Sequence, residues 1–185
     1  MSGLDPITFR HGLSNLRTRR FEIATGILMR KLINSARYRS QLSGSHAIDT
    51  NVRLQVKFSL VRTYYDTTIS PANVISAITA AGLQRSVPYN DWENYKFDCY
   101  IQQIKPSEFD ILYYGLFFVD KIVIFRINTS DLPFDQSISS TNRSYKSSRG
   151  ANRDRFHLNN ATLQYHLDMY LQKILTYQEL IDLID

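Results

Sequence analysis

The chain has 185 residues, 43 % of them hydrophobic and 12 % aromatic, enough for one substantial core and a single folded domain over 1–185. A formal net charge of +5 favours an anionic partner such as nucleic acid. The single cysteine, Cys99, excludes an internal disulfide and a cysteine-based zinc site, and it suits a reducing compartment. No apolar run approaches the ~18 residues of a membrane span. The first residues show no apolar leader, so a soluble cytoplasmic protein is expected.

In chain order, residues 1–13 read as an irregular lead-in. Over 14–37 apolar residues recur at helical spacing (Phe21, Leu28, Leu32, Ile33), opposite a face of arginines in which Glu22 is the single acid. A turn at 41–45 precedes two predicted short strands, about 46–49 and 52–62, joined at Thr50-Asn51. Within the second strand, Gln55 and Lys57 lie two apart and project from one face, while Val56 turns the other way into the core. Ser70-Pro71 opens a predicted helix that ends at Gly82, and 83–96 reads as a polar loop holding the single tryptophan, Trp92. A strand at 97–101 and a turn at Lys105-Pro106-Ser107-Glu108 follow. Two apolar strands, 109–118 and 121–127, carry an aromatic stripe (Tyr113, Tyr114, Phe117, Phe118, Phe125) assigned to the core. From 135 to 160 the composition turns to Ser, Asn, Arg and Gly and predicts a long basic loop. A helix at 163–175 and a short last helix, capped by Thr176 with Glu179 at the capping-box position, close the chain. The fold class expected is α/β, a mixed central sheet flanked by helices.

The order of a helix with Glu22, a strand with Asp49, a strand with Gln55-Val56-Lys57 and further strands resembles the PD-(D/E)XK nuclease superfamily. That superfamily includes most type II restriction endonucleases, and some members carry Gln-x-Lys in place of Glu-x-Lys. The segment Ile104-Lys105-Pro106-Ser107-Glu108-Phe109-Asp110 is similar to a strand entry of restriction-type members, and the stretch around Arg149-Gly150 with the closing helices is similar to their C-terminal region. The resemblance implies a magnesium-dependent endonuclease that cuts double-stranded DNA, as a homodimer because both strands must be cut. Asp49 would be the metal-binding carboxylate, and Gln55 would bind metal through its amide oxygen, helped by the Val56 carbonyl. Lys57 would position or activate the attacking water, and Glu22 would reach the metal through water. The family interval before the second metal position is usually longer, which would put the carboxylate position near Ser45 or His46. His46 there would be a poor magnesium ligand.

The basic loop supplies the DNA-contacting candidates Arg143, Lys146, Arg149, Asn152, Arg153, Arg155 and His157, which suit phosphate or guanine edges. The four histidines lie too far apart in sequence for a ligand set of their own. The alternative to an active enzyme is a catalytically inert DNA-binding member, or a subunit, of the same fold. An RNA-binding or protein-interaction domain with a basic loop is the reading from another class.

Overall fold

The structure is a computed structural model, and it describes residues 3–40, 52–63, 69–82, 87–132, 145–146 and 152–184. The expected lead-in is a helix, α1 (Pro6–Ser14). Asp5 caps it, its carboxylate accepting from the backbone N–H of Ile7 and Thr8 at 3.3 and 2.8 Å, and Pro6 occupies the first helical position. A proline there removes only a donor that would have gone unsatisfied, so it starts this helix and does not break it.

The predicted helix over 14–37 is two helices, α2 (Thr18–Asn34) and α3 (Ala36–Ser40), parted at Ser35, whose backbone is extended. Phe21, Met29, Leu32 and Ile33 form the buried stripe of α2, whereas the exposed arginine face is solvated as expected. Strand β1 (Leu54–Leu60) falls within the predicted second strand; the strand expected at 46–49 lies outside the described residues. Helix α4 (Val74–Gly82) begins three residues after Pro71. The loop with Trp92 contains a 3-10 turn, Tyr89–Asn94, that buries the indole against Phe97.

Strands β2 (Asp98–Ile104), β3 (Ile111–Phe117) and β4 (Ile122–Asn128) follow, and β3 and β4 form the expected hairpin. The stretch expected to be loop up to 160 contains strand β5 (Tyr145–Lys146) and the longer β6 (Asn152–Asn159). Helix α5 (Leu163–Tyr170) stops five residues early, and Leu171–Leu175 is a strand, β7, paired antiparallel with β4. Helix α6 (Tyr177–Ile184) ends the fold. Its capping box is present: Thr176 Oγ1 accepts from the Glu179 backbone at 3.1 Å, and Glu179 accepts from the Thr176 backbone at 2.6 Å.

These strands build two sheets. One is mixed, in the order β1-β3-β4-β7, with β1 parallel to β3 and the other neighbours antiparallel; the second is β2-β6-β5. Alternation along β3 divides the core. Tyr113 and Phe117 face α1, α2, α3 and α6, while Leu112, Tyr114 and Leu116 face the second sheet and α5. The molecule is therefore layered: helices, four-stranded sheet, then the smaller sheet with α5. The mixed sheet flanked by helices matches the expected class, and the aromatic stripe is core, each of its five rings at most 1 % exposed. No helix among the described residues is long and apolar enough to cross a membrane.

Candidate functional site at the edge of the mixed sheet

β1 is the edge strand of the mixed sheet, and its entry is clamped. The backbone N–H of Arg53 donates to Asp110 at 2.8 Å, and its guanidinium grips the same carboxylate at 2.8 Å and the Ser107 carbonyl at 2.9 Å. The Arg53 guanidinium holds the Asp110 carboxyl below its ordinary range. Lys105 meets Glu108 at 2.6 Å, and Phe109 is buried. The Ile104-to-Asp110 segment thus has a clear structural task, pinning the register of β1 against β3 two residues before Gln55.

From that clamp the alternation runs as the sequence predicts. Val56 and Phe58 pack toward α2, and Gln55, Lys57 and Ser59 take the opposite phase, on the side of the second sheet. Opposite Lys57 stands Tyr114, and opposite Gln55 stands Leu112, so both polar side chains sit half-buried beside apolar neighbours.

A cleft of about 370 Å³ opens along this edge between α2 and β2. Glu22, Thr25, Lys57, Ser59, Arg62 and Tyr100 are among its lining residues. The structure therefore brings Glu22 and Lys57, 35 positions apart in sequence, to one cavity. Val56 lines it too, whereas Gln55, two residues nearer the clamp, is half-buried outside that lining. Asp49 and His46 lie outside the described residues.

Arg62, Ser59 and Tyr100 carry chemistry that sequence reasoning passed over. The Arg62 guanidinium donates to the Ser14 carbonyl at 2.7 Å, which fixes it at the cleft mouth. Ser59 continues the Gln55–Lys57 phase, and the alternation Asp98, Tyr100, Gln102 against Cys99, Ile101 was a readable signal for β2. Tyr100 is 43 % exposed, and its ring stands 4.4 Å from that of His157 across the β2–β6 pair.

His157 itself is buried, and its Nδ1 lies 3.0 Å from the Asp98 carboxylate, so this ring braces the sheet and Tyr100. Of the other expected DNA contacts, Arg143 and Arg149 lie outside the described residues. Lys146 pairs in register with Asn152, and Arg153 with Tyr145, at the far end of the small sheet; Arg155 lies further along β6. Positions 153 and 155 share the alternation phase of His157 and oppose that of Leu158, which is in the core.

Among the described residues no three His, Cys, Asp or Glu side chains gather into a metal-holding group. The cleft does offer hard oxygen donors, the Glu22 carboxylate and the Ser59 hydroxyl, and Val56 is among its lining residues. That donor set fits in kind a magnesium ion, which takes one or two carboxylates and keeps several waters.

The fold and cleft define a class, a mixed α/β protein with a polar, partly cationic cavity at an open sheet edge. No family model, no curated protein and no solved structure matches the chain.

Proposed function

We propose that the chain is a metal-dependent endodeoxyribonuclease of the restriction type, acting on double-stranded DNA as a homodimer. The observation that carries this reading is the meeting of Glu22 and Lys57 in one cleft with Arg62 at its mouth. The resemblance to PD-(D/E)XK nucleases gives the first two residues roles in phosphodiester cleavage.

The cleft chemistry suits the task. Lys57 and Arg62 present cationic donors to a phosphate, and Lys57, extending from a packed strand, is held to stabilise the charge that builds on the phosphoryl oxygens. Glu22 offers a carboxylate that can orient water or an outer-sphere ligand. Magnesium held by Asp49 at this edge, with Glu22 reaching it through water, would supply Lewis-acid polarisation of the phosphate; Gln55, outside the cleft lining, would not reach it without a shift of β1. Tyr100, a lining residue of the cleft, gives a flat surface for a base or sugar, and positions 155 and 153 follow His157 in the same alternation phase of β6.

The test incubates plasmid with the purified chain and magnesium, alongside Lys57→Ala, Glu22→Gln and Asp49→Ala. Discrete fragments from the wild type are expected, with Lys57→Ala slower by about 10²-fold or more, as for loss of a charge-stabilising donor. Salt-sensitive duplex binding without cutting under any divalent cation would replace this reading with an inert DNA-binding member of the fold. Absence of duplex affinity at low salt would remove both.

A further inference from the structure

Tyr100 is held in the cleft more firmly than an exposed tyrosine needs. Its ring stands 4.4 Å from that of His157, at an interplanar angle of 60°, so His157 takes up one side of it. His157 is itself buried, and its Nδ1 lies 3.0 and 3.1 Å from the two oxygens of Asp98. A carboxylate accepts and does not donate, so Nδ1 carries the proton and the imidazole cannot turn over without losing both contacts. On the neighbouring residue, the Cys99 thiol meets the Leu60 carbonyl at 3.6 Å, which sets Tyr100 beside the Ser59–Leu60 end of β1. Tyr100 is nonetheless 43 % exposed. It is an aromatic surface braced by the sheet, in the cavity that also holds Lys57 and Arg62.

The size of the cavity decides what can use that ring. At about 370 Å³ it lies at the low end of small-ligand sites, roughly 300–1,000 Å³. That is room for one nucleotide and not for a helical stack. A duplex crossing the cleft with its bases stacked would offer phosphates to the cations and nothing flat to Tyr100. A nucleotide turned out of the stack brings both, a phosphate for the cations and a base for the ring. Gln102, next in phase on β2, lines the cleft as well, where the β2–β6 register shifts between Ile101 and Ile104. Such irregularities re-aim side chains beside sites, and an amide suits the edge of a base.

We propose that the cleft receives a single nucleotide extruded from the duplex, its phosphate at Lys57 and Arg62 and its base on Tyr100. His157 and Asp98 are positioning residues, acting through the Tyr100 ring. The inference rests on the nuclease reading for the duplex itself and adds the form in which the strand enters. Extrusion costs unpairing and unstacking, least where the base is already mismatched. The preferred substrate is therefore a duplex with a mismatched nucleotide at the cleft.

The experiment uses the full chain and fluorescence anisotropy at low salt, without divalent cation so that no cutting intervenes. It compares a short, fully paired duplex with the same duplex carrying one central mismatch. The wild type is expected to bind the mismatched duplex about tenfold more tightly or better. Tyr100→Leu should weaken that binding at least fivefold, the size of a lost base stack, and Tyr100→Phe, which restores the ring, should recover it. His157→Asn should lower the ratio of mismatched to paired affinity, which a merely structural loss, weakening both duplexes alike, would not move. A 5-iodouracil placed at the mismatch should photocrosslink to Tyr100, located by mass spectrometry of the adduct. The inference is overturned if the wild type binds both duplexes alike, if Tyr100→Leu keeps the full preference, or if the crosslink maps only elsewhere. Magnesium-dependent cutting of paired plasmid would in each of those cases leave the nuclease reading standing. Lack of affinity for either duplex would overturn both.

Discussion

Two buried titratable side chains show how the core constrains single residues. His166 on α5 is fully buried, with Nδ1 2.7 Å from Tyr114 Oη and its ring among Phe125, Tyr165 and Tyr170. Burial holds its imidazole down to about 4, so it is neutral in the fold, and it shares its Nδ1 hydrogen bond with a Tyr114 phenol that burial keeps protonated. In the unfolded chain the same group titrates near ~6.5. Between those values the unfolded state binds the extra proton. The contribution to stability is therefore complete above the unfolded value and is lost as pH falls toward the folded one. The loss between neutral pH and pH about 4.5 amounts to roughly 2 kcal/mol. Denaturant melts of the wild type and His166→Gln at the two pH values check this: the glutamine variant should lose that increment of pH dependence, whatever its absolute stability. Cys99 gives a second test. Burial pushes its thiol up to about 12, so a thiol-specific reagent at pH ~8 should leave the native protein unlabelled and label one thiol after denaturation, since the thiolate is the reactive form. Rapid labelling of the native state would contradict the packing of β2 on β1.

The elements show where sequence patterns suffice and where packing overrides them. β3 and β4 were legible because their apolar runs are too long and too β-branched or aromatic for a surface segment, and both faces are in fact covered. Within them Gly115 is a matter of space: a Cβ there would collide with the Val123 carbonyl oxygen and lie 2.7 Å from Phe58 Cε1. Gly115→Ala is expected to cost about 1–3 kcal/mol, because the three paired strands cannot all yield. A urea melt with an unchanged midpoint would show that they can. Thr176→Ala removes one half of the α6 capping box and should cost about 1 kcal/mol, read in the same way. β7 was illegible because Leu171, Ile174 and Leu175 fit the spacing of the preceding helix as well as a strand; pairing with β4 decides the matter, and only the tertiary fold supplies β4. β6 was hidden by composition. Its core-facing Leu158 alternates with His157 and Asn159, but arginines and asparagines made the stretch look like loop. For the candidate site, the phase of Lys57 and the helical place of Glu22 were readable. Their meeting was not, since it depends on α2 crossing the edge of β1.

At the scale of the molecule, the question is how a modest excess of positive charge could be concentrated where a duplex would lie. The cleft presents Lys57 and Arg62, and Tyr100 belongs both to its lining and to the outer phase of the β2–β6 pair. Following that phase along β6 leads from His157 through position 155 to position 153, where β5 joins. On the proposed reading, a duplex whose scissile phosphate entered the cleft would run its flanking backbone along that phase of β6, toward positions 155 and 153. Each phosphate contact releases counterions, adding a slope of about −0.9 to the dependence of log affinity on log salt. Replacing Arg153 and Arg155 together with glutamine should then weaken duplex binding at low salt and flatten that slope by up to ~2, while Lys57→Ala should slow cutting far more than it weakens binding. The opposite outcome is equally readable. If the paired replacement leaves affinity and slope unchanged, the duplex does not cross the β5–β6 end, and the arginines of α2 become the surface to test next.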